Sequence, residues 1–333
     1  MACVSLAAIR DVVLEESSTT LQLHAALNRY TQLGTEVTGI APDPSFDGWA
    51  ADIFLKQGVA INPQAAAHCV KDYQRSVVFI RGVHAAIEVI RHRFPNEVIR
   101  ILYAGSGPYA TLLLPLLDKY APAELDICLL DVHQHSLDGV QALTSYFGLD
   151  AHGLQFVCAD ASCYQHDTNL HLIITETMQK SLEQEPQFAV TANLATQLCS
   201  DGIFLPEKIE VTLALTGLEQ ASVISLGAVL TLSAASAPSL RKSATCNESS
   251  SIFELPPVRL QVPALVGAHG LEAALFTRIQ VFRNYWLQAY DAEITLPQRC
   301  HDISSVQSGD VIHVTYQLGS YPRFSCVVDT LLA

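Results

Sequence analysis

Charged side chains are scarce in this chain, making up 16% of its 333 residues, whereas half of the residues are hydrophobic. This composition excludes a disordered protein and predicts a large core in one large or two medium domains. The charge that is present is mostly acidic, with a formal net charge of −14. Such a surface repels nucleic acid and anionic membranes, so we expect cationic small molecules or basic peptides as partners.

Signals of several other protein classes are also missing. The nine cysteines form no Cys-x-x-Cys pair and no set with zinc spacing, which predicts reduced thiols in a cytoplasmic protein without a metal site. Ser106 lacks the Gly-x-Ser-x-Gly spacing of a hydrolase nucleophile. The N-terminus meets charged residues too early for a secretory signal, and the uncharged run 221–237 fits strands and turns better than a membrane span.

Hydrophobic periodicity predicts the order of the elements. Helical spacing covers 6–30 and 64–93, separated by a glycine- and proline-rich loop at 35–48. Strand-like runs at 98–104, 125–131, 154–159 and 170–175 then alternate with helical runs at 111–120 and 135–147, which predicts a doubly wound, mostly parallel α/β sheet. Beyond Gly202 strands and turns dominate, with a serine- and alanine-rich connection at 233–251. We therefore predict an N-terminal helical segment (1–45), a Rossmann-like domain with leading helices (46–207) and a β-rich domain (208–333).

Three strand ends in the predicted Rossmann-like domain carry residues suited to a nucleoside cofactor. Gly105 and Gly107 follow the first strand, where the missing β-carbons let a ligand approach the backbone. Asp131 ends the second strand at the position of a ribose-binding acid, and Asp160 follows the third and can face adenine. A nicotinamide dinucleotide fits less well, because Pro108 removes an N–H donor and Ala110 stands in place of a third glycine. Both acids could instead be solvated helix caps.

Six segments in the same order resemble motifs of the protein arginine N-methyltransferases, a family of class I S-adenosylmethionine-dependent methyltransferases. They are Asp72-Tyr-Gln-Arg75-Ser-Val-Val-Phe79, Gly105-Ser-Gly107-Pro108, Glu176 to Glu185 with its two terminal glutamates, Asp201 to Pro206, Asn284-Tyr285-Trp286-Leu287-Gln288, and Gly309 to Ile312. The chain departs from the family at Tyr103, where most relatives carry an acid, and at Tyr285 and Leu287, which replace histidine and lysine.

The resemblance implies a Rossmann-like domain followed by a β-barrel-like domain, with S-adenosyl-L-methionine as the cofactor. By this likeness Arg75 holds the cofactor's carboxylate, Glu176 and Glu185 are the catalytic pair, and Tyr285 and Trp286 belong to the substrate-binding loop. The implied substrate is a guanidinium group, in free arginine, an arginine-derived metabolite or a peptide.

Other interpretations stay open at this stage. The methyl acceptor could be another amine, an imidazole or a hydroxyl in natural-product biosynthesis, and a catalytically silent member of the family would act as a binding protein. Glu176, Glu183 and Glu185 would then form a solvated acidic loop. The apolar side of residues 6–30 has no evident partner in the sequence, which predicts a homodimer formed through these helices.

Overall fold

The computed structural model of the chain describes residues 5–43, 51–217, 223–248, 251–265, 271–303 and 306–329. The predicted boundary between residues 45 and 46 lies outside these ranges, and the division into domains stays a prediction.

Two helices open the described chain, as the periodicity predicts. Helix α1 (Leu6–Leu14) begins at Ser5, whose hydroxyl accepts the Ala8 N–H, and α2 (Thr20–Thr38) begins with a capping box between Thr19 and Gln22. Helix α2 runs past residue 35, where we expected a loop. It ends at Gly39, which has a φ of 73° and so adopts the left-handed conformation that glycine tolerates.

The apolar side of these helices is covered by the chain itself. Val13, Leu27 and Tyr30 are fully buried, and Ile9 is almost so. Their neighbours are helix α4 (Tyr73–Arg93) and the apolar residues of the Rossmann-like domain, and the Tyr30 hydroxyl donates to the Tyr109 carbonyl at 2.6 Å. The interpretation of this side as a face left for a second copy is therefore wrong, and it no longer supports a homodimer.

The helical stretch expected at 64–93 is broken near its start. A short hairpin, β1 (Ile53–Leu55) and β2 (Gly58–Ala60), precedes helix α3 (Pro63–His68). One 3₁₀ turn follows, and α4 then begins after Asp72. The Asp72 carboxylate accepts the Arg75 N–H at 3.3 Å and thus caps the new helix. The break points the first turn of α4 toward the carboxyl ends of the central strands.

The central sheet and its helices consist of β3 (Ile99–Ala104), β4 (Leu125–Asp131), helix α5 (Gln134–Tyr146), β5 (Leu154–Cys158), β6 (Leu170–Thr175), helix α6 (Gln187–Leu194) and β7 (Leu198–Leu205). The sheet is parallel, and its strand order is β5-β4-β3-β6-β7. One face of β3 packs in the large core with α4 and α5, and the other face packs against α6. The predicted α/β class is confirmed. The chain adds β4 and β5 on one side of β3 and then returns to add β6 and β7 on the other side. Such folds bind ligands at the strand ends where this reversal occurs.

The segment after the glycine turn differs from the prediction. We expected a helix over 111–120, but only a 3₁₀ helix forms there, at Leu114–Lys119. Ala110 has a φ of 44°, which a helix does not permit, and Pro115 removes a backbone donor. The glycine turn therefore does not open an α-helix.

Two antiparallel five-stranded sheets form the C-terminal part of the chain. The first contains β8 (Lys208–Thr216), β9 (Val223–Leu232), β13 (Glu272–Phe282), β14 (Tyr285–Leu287) and β15 (Gln298–Arg299). The second contains β10 (Thr245–Asn247), β11 (Ile252–Glu254), β12 (Val258–Gln261), β16 (Val311–Leu318) and β17 (Arg323–Asp329). Helix α7 (Ala237–Ser243) lies in the predicted connection 233–251 and packs on α6. Among the helices of the described residues, none is long and apolar enough to cross a membrane.

We predict that the N-terminal helices stabilise the monomeric fold. Leu27→Ala removes a fully buried side chain and should lower the free energy of unfolding by about 2–5 kcal/mol. Leu21→Ala on the same helix is the matched control, because Leu21 is 80% exposed and its loss should cost less than about 0.5 kcal/mol. Urea denaturation measures both, and equal small effects would show that α2 is not part of the core.

Candidate functional site

One cavity lies at the carboxyl ends of the central strands. It contains all seven residues that the sequence predicts for cofactor binding and catalysis: Arg75, Gly105, Gly107, Asp131, Asp160, Glu176 and Glu185. Tyr285 and Trp286 are not among its lining residues.

The glycine turn forms the floor of the cavity and has a geometry that other residues would disturb. Gly105 has a φ of 75°, and a β-carbon there would lie 2.6 Å from the Thr177 side chain and 2.8 Å from the Glu176 carbonyl. Glycine at this position thus lets the chain after β6 cross directly over the turn. Gly107 has a φ of 59°, and its N–H donates to Asp131 Oδ2 at 3.0 Å.

Asp131 is held rigidly by the backbone around it. Its second oxygen, Oδ1, accepts the His133 N–H at 2.9 Å. Burial raises the pKa of Asp131, although these two N–H donors oppose the shift. Each oxygen keeps a lone pair, so the carboxylate can still accept two hydroxyl groups. Asp160 is less buried, and its Oδ1 accepts the Ser162 N–H at 2.8 Å, a local turn contact that leaves Oδ2 free to face a ligand.

Arg75 reaches the cavity from the first turn of α4. Its side chain is 8% exposed and forms an ion pair with Glu176, which is 13% exposed. This pair joins a residue on α4 to the residue that follows β6, 101 positions later in the chain. A cation and an anion therefore neutralise each other in a cavity that is largely shielded from water.

The second glutamate of the motif, Glu185, has no such partner. Among the described residues no hydrogen bond or ion pair to its carboxylate is present, and the residue is 8% exposed. Burial raises the pKa of Glu185 to about 7, although the charge of Arg75 opposes the shift and Asp52 adds to it. The cavity thus holds one cation and two glutamates, so a further cation would be stabilised there.

The loop between the two glutamates is shaped by contacts with both sheets of the β-rich part. The Ser181 N–H donates to Thr277 at 3.1 Å, the Gln184 N–H donates to the Pro322 carbonyl at 2.8 Å, and the Leu182 carbonyl accepts the Tyr316 hydroxyl at 2.7 Å. Ser181, Leu182 and Gln184 all have positive φ angles. Glu183 points away from the cavity toward Gln298, whose amide donates to it at 3.2 Å.

The predicted substrate-binding pair lies elsewhere. Trp286 pairs with Gln280 of β13, on the face of the sheet that also carries Arg278. Thr277, which contacts the glutamate loop, lies on the opposite face. Lys208 and Arg278 lie 5.2 and 5.0 Å from the Trp286 ring, and Tyr285 packs on the core beside the turn. Neither Tyr285 nor Trp286 lines the cavity, and their assignment to substrate binding stays a prediction.

A different segment occupies the space beside the glutamate loop. The 3₁₀ turn Glu293–Thr295 contacts the turn Lys180–Leu182, and the Glu293 N–H donates to Asp72 Oδ2 at 2.8 Å. Asp72 thus links the start of α4 to the β-rich part. No local sequence pattern marks this neighbour.

The hairpin β1–β2 closes the cavity from the N-terminal side and was not predicted as part of it. Leu55, Ala60 and Ile61 line the cavity, and the Val59 N–H donates to the Gln184 carbonyl at 2.7 Å. A β-carbon on Gly58 would lie 2.7 Å from the Pro186 nitrogen, so the hairpin lies tightly on the end of the glutamate loop. Cys69 and Tyr103 also line the cavity and were not predicted to do so.

The described residues contain neither a metal-binding cluster nor a disulfide. No group of three histidine, cysteine or acidic side chains could hold a metal ion in that part of the chain. The described cysteines are free thiols, and Cys300 and Cys326 lie with their sulfurs 3.5 Å apart in the β-rich part.

A Rossmann-like sheet followed by a β-barrel-like pair of sheets, with the cavity at the strand ends, is the architecture of the protein arginine methyltransferases. Among solved structures the chain is similar to protein arginine methyltransferase 10 of Arabidopsis thaliana, with 13% identity, a TM-score of 0.52, and coverage of 75% of this chain and 86% of that one. This likeness confirms the predicted fold.

A second solved structure is the heterotetrameric enzyme–prozyme complex of Trypanosoma brucei PRMT1 with AdoHcy. Its identity is 11% and its TM-score 0.46, over 78% of this chain and 96% of that one. No protein-family model matches the sequence, and no curated protein does.

We predict that Glu185 lowers the stability of the fold at neutral and alkaline pH. Its pKa is about 7 in the folded chain against an ordinary 4.5, so the folded state binds more protons between these values and stability falls as pH rises through that window. Glu185→Gln should remove this loss and raise the free energy of unfolding at pH 8 by on the order of 2–3 kcal/mol.

Urea denaturation at pH 5 and pH 8 measures the effect. The gain from Glu185→Gln should be small at pH 5 and large at pH 8, whereas Glu16→Gln, at an exposed position, should change stability little at either pH. A gain that is the same at both pH values would contradict the assignment of the buried charge.

Proposed function

We propose that this protein is an S-adenosylmethionine-dependent N-methyltransferase that acts on a guanidinium group. The observation that carries the proposal is the composition of the cavity at the strand ends. It combines a glycine turn and two strand-end carboxylates with a buried arginine and two buried glutamates. This set of residues fits two ligands. One has a nucleoside and a carboxylate and binds at one end of the cavity, and the other has a cationic group and binds at the other end.

The cofactor half of the cavity favours a nucleoside without a pyrophosphate. The Gly107 N–H is already donated to Asp131, and the turn leads into irregular chain and a 3₁₀ helix. A pyrophosphate needs the free N–H groups of a helix N-terminus, which this turn does not offer. Asp131 is placed for ribose hydroxyls, Asp160 for adenine, and Arg75 for a carboxylate through bidentate hydrogen bonds. When bound, S-adenosylmethionine would supply an electrophilic methyl group on a sulfonium.

The substrate half of the cavity favours a planar cation with several N–H groups. Two carboxylates that accept hydrogen bonds from a guanidinium fix its orientation and draw positive charge toward the nitrogens that they contact. The remaining nitrogen then directs its lone pair at the methyl carbon. Glu176 and Glu185 would hold the guanidinium in this orientation, and the nitrogen that accepts the methyl group would release one proton to solvent. Positioning is therefore the main task of the protein.

The likeness in fold to an arginine methyltransferase supports the same reading, and the net charge of −14 supports a cationic substrate. Tyr285 and Trp286 do not line the cavity. Recognition beyond the guanidinium therefore rests on the segment around Glu293 and on the β1–β2 hairpin, which lie beside the glutamate loop.

We predict that the purified chain binds S-adenosylhomocysteine and does not bind NAD. Gly105, Asp131 and Asp160 serve the nucleoside, whereas the turn lacks the free N–H groups that a pyrophosphate requires. Isothermal titration calorimetry measures both ligands under the same conditions. Stoichiometric binding of NAD without binding of S-adenosylhomocysteine would overturn the proposed cofactor.

We predict that turnover depends on both glutamates of the cavity. Glu176→Gln and Glu185→Gln keep the shape but remove the charge, so methyl transfer should fall about a hundredfold or more. Binding of S-adenosylhomocysteine should stay at least as tight in Glu176→Gln, because Arg75 loses its competing partner. Glu183→Gln is the matched control in the same loop and should retain turnover, since Glu183 faces Gln298.

The assay transfers a labelled methyl group to free arginine, small guanidino compounds and arginine peptides, and mass spectrometry locates it. Near wild-type turnover in both glutamine variants would contradict the guanidinium assignment. A methyl group found on an amine, imidazole or hydroxyl would identify one of the other acceptors.

A further inference from the structure

Tyr103 places a hydroxyl group in the cavity where neither the sequence motifs nor the fold assigns a role. It is the fifth residue of β3, two positions before Gly105, and is 2% exposed. Ile99, Ile101 and Tyr103 alternate along the face of β3 that packs in the core with α4, the helix that carries Arg75. The phenol ring thus enters the cavity from the sheet, and Arg75 enters it from the helix above that face.

The hydroxyl of Tyr103 is only half satisfied by the protein. The backbone N–H of Leu112 interacts with its oxygen, so the oxygen acts as an acceptor. Within the described chain no acceptor is present for its own O–H. Burial raises the pKa of Tyr103 well above its ordinary value, which keeps the phenol protonated and able to donate at neutral pH. The residue lines the cavity, so a bound ligand can supply the acceptor that the described chain does not.

The charges around the phenol indicate which ligand group it meets. The positive charge of Arg75 acts against burial and lowers the pKa of Tyr103, so the guanidinium lies near the phenol, while Asp131 is two positions past Leu129, the partner of Tyr103 on β4. Two donors, one cationic and one neutral, therefore converge on the same end of the cavity. A carboxylate accepts hydrogen bonds from both kinds of donor. An ammonium group or a hydroxyl hydrogen cannot take this role, because each is itself a donor.

We propose that Tyr103 is a cofactor-binding residue that donates its phenolic hydrogen to the carboxylate of the S-adenosylmethionine methionyl group, beside Arg75. The inference rests on the proposed function and deepens it. It assigns the carboxylate to two residues on different elements, β3 and α4, so that the carboxylate is held on two sides. Loss of the hydroxyl removes one hydrogen bond to a charged group and leaves the ring in place.

The test compares two ligands that differ only by the carboxylate. Calorimetry measures the binding of S-adenosylhomocysteine and of S-adenosyl-3-thiopropylamine, its decarboxylated form, to the wild-type chain and to Tyr103→Phe. The variant should bind S-adenosylhomocysteine about ten- to a hundredfold more weakly, the range for a hydrogen bond to a charged group. Its affinity for the thiopropylamine should change less than about threefold, which also shows that the variant is folded.

Tyr120→Phe is the matched control. Tyr120 is also buried and its hydroxyl donates to Glu88 at 3.0 Å, but it does not line the cavity. This variant should bind both ligands like the wild type.

Each remaining outcome is decisive. Equal losses for both ligands in Tyr103→Phe, or no loss for either, would overturn the role of Tyr103 while leaving the cofactor proposal intact. A wild-type chain that binds neither ligand would overturn the proposed function and the inference with it.

Discussion

The ion pair between Arg75 and Glu176 is the interaction around which the cavity is organised. A buried charge is tolerated only when an opposite charge or several hydrogen bonds compensate it. Arg75 lies on α4 and Glu176 follows β6, so their pairing requires the helix to begin at Asp72 and the chain to cross over Gly105. The glycine at 105 is needed for this crossing, because a β-carbon would meet the backbone of Glu176 itself. One electrostatic contact thus explains a helix start, a strand end and a glycine.

Several residues that line the cavity share a simple geometric basis. Gly105, Asp131, Asp160 and Glu176 each end or follow a parallel strand, and the carboxyl ends of parallel strands meet at one edge of the sheet. Periodicity suffices to find such strands, since each is short, apolar and bounded by polar residues. The roles of Arg75, Glu176 and Glu185 came from the family resemblance instead. The position of a residue in a helix or a loop does not show which cavity its side chain enters.

The parts that sequence could not predict depend on contacts between distant segments. The direction of Trp286 depends on its register with Gln280 in a two-strand turn, and a shift of one residue would reverse its face. The place of Glu293 beside Asp72 depends on how the β-rich part docks on α4, which no local pattern encodes. The missing helix after the glycine turn follows from a positive φ at Ala110 that the apolar run 111–117 conceals. In each case tertiary contacts decide between locally similar alternatives.

The same ion pair links the two halves of the proposed reaction. In the chain as described, Arg75 and Glu176 satisfy each other, and Glu185 keeps an uncompensated carboxyl in the same cavity. A carboxylate that pairs with Arg75 releases Glu176, and a cation that pairs with Glu176 releases Arg75. Each ligand therefore removes a cost that the other would otherwise meet, and by linkage the two binding events favour one another to the same degree. A cation in the cavity also favours the ionised form of Glu185, because opposite charge lowers the pKa of a carboxyl. With both ligands bound, each of these three side chains faces an opposite charge: the carboxylate meets Arg75, and the cation meets Glu176 and Glu185.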